Sequence, residues 1–228
     1  MINTSNAQIK SMCGRFNLIA TPKQVIETFH LHRLLRYETS YNIPPGQNIL
    51  TVVQLDDGSY KAVYLHWGLI PHWSKDNKIS HHLINARAET LAEKPAFKSA
   101  YQQRRCLIPA TGFYEWQKKE QGKQAFCIGH KSNRLFAFAG LWEYWEHNTE
   151  TIYSCTIITT GSNELINPIH QRMPVIIDAQ NYDQWLNKQS SAELTQQLLA
   201  NDAYQGMVLN QISDWVNNPQ HNDENCLN

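Results

Sequence analysis

Near the start of the chain a cysteine directly follows a methionine, in Met12-Cys13-Gly14-Arg15-Phe16. Removing everything up to that methionine leaves a cysteine with a free amine and a thiol on adjacent carbons. Such a 1,2-aminothiol captures aldehydes: the amine forms a Schiff base, and the thiol closes it into a thiazolidine ring that resists hydrolysis better than an imine. An α-amine titrates near ~7.7–8.0 and a lysine near ~10.4, so only the former is substantially deprotonated at neutral pH. The same pentapeptide also reads as a buried cysteine opening a first strand.

Other residues have types suited to proton transfer or to anion binding. Glu115, in Gly112-Phe113-Tyr114-Glu115-Trp116, is a carboxylate among large aromatics. Desolvation there raises its pKa and suits it to general acid/base work, although strand alternation equally permits a solvent-facing side chain. His170 lies between two prolines and beside Arg172. Its unperturbed pKa suits proton transfer near neutrality, and a structural histidine is the alternative. Asn85 and Arg87, two apart, point to one side of an extended chain and fit a phosphate or sugar; a helix-capping asparagine with a surface arginine is the other reading. Arg15 would share the face of Cys13 on a strand. Trp67 and Trp73 offer rings to bases, with core packing the competing use for at least one of them. His72, His81 and His82 lack a third ligand at a recognisable spacing, so no metal site is expected.

The elements that must position these residues follow from periodicity and turn chemistry. Residues 1–11 are polar and aperiodic and read as a disordered or removed leader. A strand is predicted over 13–19, then a helix over 22–31 with Thr21 at its N-cap and Pro22 at its first position. Two prolines make 41–46 a rigid loop. Residues 48–54 and 60–66 read as a hairpin around Asp56-Asp57-Gly58-Ser59, followed by a surface loop carrying both tryptophans. A helix ends at Tyr101, broken or restarted at Pro95, and a strand covers 105–109. A second hairpin pairs 112–117 with 125–128, and strands follow at 134–144 and 151–160. Residues 162–166 look helical, as do 178–187 and 191–200, the last capped by Ser190 with Glu193. A final strand covers 206–213. The sum is one compact α+β domain, mainly an antiparallel barrel-like sheet with peripheral helices, bounded as 12–218 with a tail at 219–228.

Composition narrows the function classes. Of 228 residues, 42% are hydrophobic, enough for one sizeable core, and 20 basic residues balance 20 acidic ones. The balance is uneven along the chain, with 13 basic against 7 acidic residues over 1–106 and the reverse over 107–228. A neutral chain therefore still presents a basic face. There is no apolar run of ~18 residues and no signal-peptide pattern, so a cytoplasmic address without membrane contact is expected, nucleoid-associated if the source is bacterial. Five cysteines without a C-x-x-C pair argue against disulfides and zinc.

Taken in order, the pentapeptide at 12–16, Tyr41-Asn42-Ile43-Pro44-Pro45, Trp67-Gly68-Leu69-Ile70-Pro71, Asn85-Ala86-Arg87-Ala88-Glu89-Thr90, Arg105-Cys106-Leu107-Ile108-Pro109, Gly112-Phe113-Tyr114-Glu115-Trp116 and His170-Gln171-Arg172-Met173-Pro174 resemble the SOS-response-associated peptidase (SRAP) family. Ile212-Ser213-Asp214-Trp215-Val216-Asn217-Asn218 is similar to that family's closing motif. The resemblance implies a covalent sensor of abasic sites in single-stranded DNA, part of the DNA damage response, that forms a thiazolidine DNA–protein crosslink by lyase-like Schiff-base chemistry. It implies that Cys13 supplies amine and thiol, and that Glu115 and His170 move protons. Asn85 would orient the amine or sugar, Arg87, Arg15 and Arg172 would contact phosphates, and Trp67 with Trp73 would wedge or stack. No cofactor or metal is implied, and a monomer is expected.

In the family the cysteine follows the initiator methionine, whereas here eleven residues precede Met12. Translation from Met12 with methionine excision, or cleavage of the leader, would free the amine. Two other functions compete with covalent capture of the aldehyde: a thiol peptidase using Cys13, including autoproteolysis of the leader, and a non-covalent single-strand binder.

Overall fold

The computed structural model describes residues 14–200 and 204–228. The leader at 1–11, Met12 and Cys13 lie outside the described residues. In chain order the strands are β1 (Phe16–Leu18), β2 (Ser40–Ile43), β3 (Asn48–Gln54), β4 (Tyr60–Trp67), β5 (Asn85–Arg87), β6 (Arg105–Ala110), β7 (Gly112–Lys118), β8 (Lys123–His130), β9 (Phe136–His147), β10 (Glu150–Gly161), β11 (Arg172–Pro174), β12 (Ile176–Ile177) and β13 (Met207–Ile212). The helices are α1 (Pro22–Thr28), α2 (Pro95–Gln103), α3 (Tyr182–Leu186) and α4 (Ala192–Ala200), with short 3-10 turns between elements.

The strands form two sheets. One runs β13-β8-β7-β1-β2 with antiparallel pairings. In the other, β10, β4, β3, β6 and β9 are neighbours in that order, and β9 pairs back onto β10 from Glu150↔His147 to Ile157↔Gly140. That closes a five-stranded barrel. A ring with an odd number of strands cannot be antiparallel throughout, and the obligatory parallel contact falls between β10 and β4. β5 also runs parallel to β10, with Asn85 opposite Ile157 and Arg87 opposite Thr159. The α+β architecture of one compact domain is thus as expected, with these parallel pairings added.

Local chemistry accounts for the element ends. Thr21 caps α1, its Oγ1 accepting the Gln24 N–H at 3.2 Å while the Gln24 side chain accepts the Thr21 N–H at 2.7 Å. α1 stops at Thr28 rather than at 31, because Phe29 leaves helical geometry and His30 takes a φ of +50°. The expected loop at 41–46 begins as a strand: β2 pairs Ile43 with Phe16 before Pro44 and Pro45 end it. Residues 162–166 are not helical. Turns occupy 164–169, and the Asn163 side chain accepts the Ile166 N–H at 3.1 Å. The helix expected over 178–187 is a 3-10 turn leading into α3. α4 is capped by Ser191, whose Oγ accepts the Leu194 N–H at 3.2 Å, whereas Ser190 Oγ donates to Gln184 O.

The main core lies between the barrel and the neighbouring sheet. Phe16 sits edge-on to Trp67 and Phe138 at centroid distances of 5.3 and 5.7 Å, and Phe113 meets Phe138 at 6.0 Å. Each ring is fully buried, which contributes roughly 1.5–3 kcal/mol apiece. A second apolar cluster on the far side of β7 gathers Tyr114, Cys127, Ile212, Val216 and Cys226. The chain segment after β13 covers it. No helix among the described residues is long and apolar enough to cross a membrane.

Candidate functional site

β1 and β7 meet antiparallel, with Phe16 opposite Phe113 and Asn17 opposite Gly112, and the Tyr114 N–H donates to Arg15 O at 2.9 Å. Continuing that register sets Gly14 opposite Glu115. Alternation along β7 puts Glu115 on the face of Phe113, toward the barrel, and Glu115 is only 3% exposed. The solvent-facing alternative for this carboxylate is thereby removed. Gln117 shares the same face, and its Nε2 donates to Pro168 O at 3.0 Å, two residues before His170.

Asn85 reaches the same region from the barrel side. It is 7% exposed on β5, and the preceding carbonyl of Ile84 accepts the Trp67 indole N–H at 2.8 Å. Through the edge contact of Trp67 with Phe16, this ties β5 to the start of β1. Arg87, two residues on, is exposed. Gly68 turns the chain away after Trp67 with a φ of +143°, and any Cβ there would sit 2.8 Å from Ser80 O.

His170 closes the arrangement. Its main-chain N–H donates to Ile166 O at 3.0 Å. Its Nδ1 lies 3.2 Å from the Arg172 N–H and 3.1 Å from Arg172 O. The segments bearing Asn85, Glu115 and His170 thus converge around the end of β10 and the start of β1.

The structure separates the other predicted residues. Trp67 is fully buried, its indole N–H bonded and its ring packed on Phe16, so no face remains for a base, and the stacking role is corrected to a core role. Trp73 is 52% exposed on the loop after β4. Arg15 is turned inward: Nη1 donates to Asn42 Oδ1 at 2.9 Å and Val216 O at 2.8 Å, and its guanidinium lies 5.8 Å over the Trp116 ring. Arg172 forms a two-pronged ion pair with Glu89, at 2.6 and 3.0 Å. Both guanidinium groups thus have internal partners in this structure. His72 contacts the buried Glu143 at 3.3 Å, and the same carboxylate accepts from Arg104 at 2.7 Å. Among the described residues no group of three His, Cys, Asp or Glu is placed to hold a metal ion.

Sequence reasoning did not single out Asn42 or Glu89, although both stand inside quoted motifs. Asn42 Nδ2 donates to the carbonyls of Val216, Asn218 and His221, which pins the C-terminal segment beside Arg15. Nothing in local sequence announces such a partner, because the acceptors lie more than 170 residues away.

The described cysteines are unsuited to nucleophilic chemistry. Cys106, Cys127, Cys155 and Cys226 are free and buried. Burial pushes the Cys127 thiol up to about 11 and the Cys155 thiol up to about 12, and raises those of Cys106 and Cys226.

The SOS response associated peptidase family model matches residues 12–219. A Bacillus subtilis protein named abasic site processing protein YoqW is 46% identical over 225 residues, covering 95% of this chain and 99% of that protein. The abasic site processing protein HMCES of Xenopus tropicalis is 30% identical over 223 residues, covering 84% of this chain and 66% of that protein. A crystal structure of a Bacteroides thetaiotaomicron protein superposes with a TM-score of 0.83 at 24% identity, covering 94% of this chain and 98% of its own, and shares the fold. With the family match running nearly end to end over the segments that build this site, the chain belongs to the SOS response associated peptidase (SRAP) family.

Proposed function

We propose that this protein senses abasic sites in single-stranded DNA and captures them covalently through Cys13 once that residue is N-terminal. The relatives in Bacillus subtilis and Xenopus tropicalis carry the name abasic site processing protein, which supports the class of substrate. The observation that carries the reading is the register of β1 on β7. The Tyr114 N–H bond to Arg15 O carries the pairing to the residue beside the buried Glu115, and Arg15 is two residues after Cys13 in the sequence.

The chemistry balances without a cofactor. The amine of Cys13 adds to the aldehyde carbon of the ring-opened sugar, and the resulting carbinolamine loses water to give the imine. The thiolate then adds to the imine carbon while the nitrogen takes a proton. The net change is formation of one C–N and one C–S bond with release of one water. Glu115 and His170 serve as the proton-transfer pair, Asn85 orients the amine or sugar, Arg87 holds the adjacent phosphate, and the exposed Trp73 offers a ring to a neighbouring base.

Intact-mass measurement tests this. A protein confirmed to begin at Cys13, incubated with an abasic single-stranded oligonucleotide, should gain the oligonucleotide mass less one water. No mass gain from such a protein overturns the proposal. Cys13→Ser with the same N-terminus should lose the thiazolidine product; retention of a stable adduct would overturn the role of the thiol, and leader cleavage surviving when Cys13→Ser is made in the chain that begins at Met1 would remove Cys13 from any peptidase role.

A further inference from the structure

We propose that Glu89 is a positioning residue for His170, acting through Arg172. The proposal builds on the reading of His170 as a proton-transfer group.

Glu89 lies in the motif that begins with Asn85, in the 3-10 turn directly after β5. Its carboxylate takes both prongs of the Arg172 guanidinium, Nη1 to Oε1 at 2.6 Å and Nη2 to Oε2 at 3.0 Å. Nη2 also donates to Thr159 O at 2.7 Å. Thr159 stands opposite Arg87 on one side of β10 and opposite Pro174 on the other, so the guanidinium bridges the strand that separates the two motifs. A planar fork on a carboxylate fixes orientation as well as distance.

The consequence falls on the imidazole. Turns rather than a helix precede His170, so the 162–171 segment lacks a regular ladder to hold it. Its far end is fastened at Arg172, whose own main chain flanks His170 Nδ1. With its proton on Nδ1 the neutral ring donates to Arg172 O at 3.1 Å, and the protonated ring keeps the same bond; the Arg172 N–H lies beside the same nitrogen at 3.2 Å. One residue thus partners Nδ1 in both protonation states without ring rotation. Nε2 is then the nitrogen that exchanges the proton with substrate. The side chain of Glu89 never needs to touch DNA for this effect, because it acts on where the Arg172 backbone lies.

A different use of the same pair would have the opposite sign. If Glu89 merely occupied Arg172 until a phosphate displaced it, removing its charge would strengthen DNA binding.

The test uses the full chain beginning at Cys13 and its Glu89→Gln variant. Three readouts are taken: the single-turnover crosslinking rate at saturating abasic oligonucleotide, the affinity for the same strand carrying a tetrahydrofuran analogue that has no aldehyde, and the 15N NMR resonances of the His170 ring. The proposal expects the rate to fall by about tenfold, the affinity to stay unchanged, and the His170 nitrogens to shift toward a mixture of tautomers. Arg172→Lys, which keeps the charge but loses the fork, should give the same signature. Unchanged His170 resonances in both variants, or tighter binding by Glu89→Gln, would overturn it. If the unaltered protein forms no crosslink, the proposed function fails, while the NMR comparison still decides whether Glu89 governs His170.

Discussion

Two segments flanking the candidate site are fastened by opposite means. The start of β1 is held by hydrogen bonds to amides and carbonyls: Asn42, 2% exposed, joins Arg15 to three carbonyls of the C-terminal segment, and Asn222 Oδ1 accepts the Tyr41 and Asn42 N–H groups at 2.6 and 3.1 Å. The 170–172 segment is held by an ion pair whose acidic side chain is 52% exposed. Buried amide bonds are insensitive to salt and to mild pH change, whereas a half-exposed ion pair responds to both. The β1 side of the candidate site is therefore firmly anchored, and the 170–172 segment is the adjustable side.

The largest expected effect comes from breaking the buried side. Asn42→Ala leaves the Val216, Asn218 and His221 carbonyls without their donor and should lower unfolding stability by about 3 kcal/mol, read from the urea midpoint. An unchanged midpoint would show that the C-terminal segment is not held this way. Arg15→Ala removes two bonds and the contact with Trp116, and about 1–2 kcal/mol of destabilisation is expected in the same assay.

The ion pair should matter far less to stability. Glu89→Gln is expected to cost less than about 1 kcal/mol at pH 7, as exposed pairs do. Arg172 holds the Glu89 carboxyl below its ordinary range, first by its hydrogen bonds. Its contribution is therefore present above the unfolded carboxyl pKa and disappears as pH falls through the lower folded value. Urea titrations of both proteins should differ at pH 7 and converge as the pH falls below the ordinary glutamate pKa of ~4.3. A difference that grew on acidification would reverse the assignment. The smallest effect is that of salt: going from ~0.1 to ~1 M shortens the screening length from ~10 to ~3 Å, which should shrink the Glu89→Gln difference and leave that of Asn42→Ala intact.

Local pattern carried much of the fold. The Thr21-Pro22 cap, the hairpin turn at 56–59 and the paired runs at 112–118 and 123–130 all depend on residues close together in the chain, and each formed where its chemistry lies. Asn85, Glu115 and His170 were visible as residue types within ordered motifs. Short segments whose structure depends on distant partners were not legible: β2 is a strand because Ile43 meets Phe16, and 162–166 is not a helix because Asn163 and its neighbours close turns instead.

The sequence by itself determined the family and the α+β class, since these rest on residue identity, order and short-range periodicity. Only the tertiary structure decided how the polar and aromatic groups are used. Trp67 and Trp73 have the same side chain six residues apart, yet Trp67 fills the core and Trp73 faces solvent. Arg15, Arg87 and Arg172 carry the same charge, yet two are engaged internally and Arg87 is exposed. Burial and long-range hydrogen bonding make those distinctions, and both are set by contacts between residues that the chain order keeps far apart.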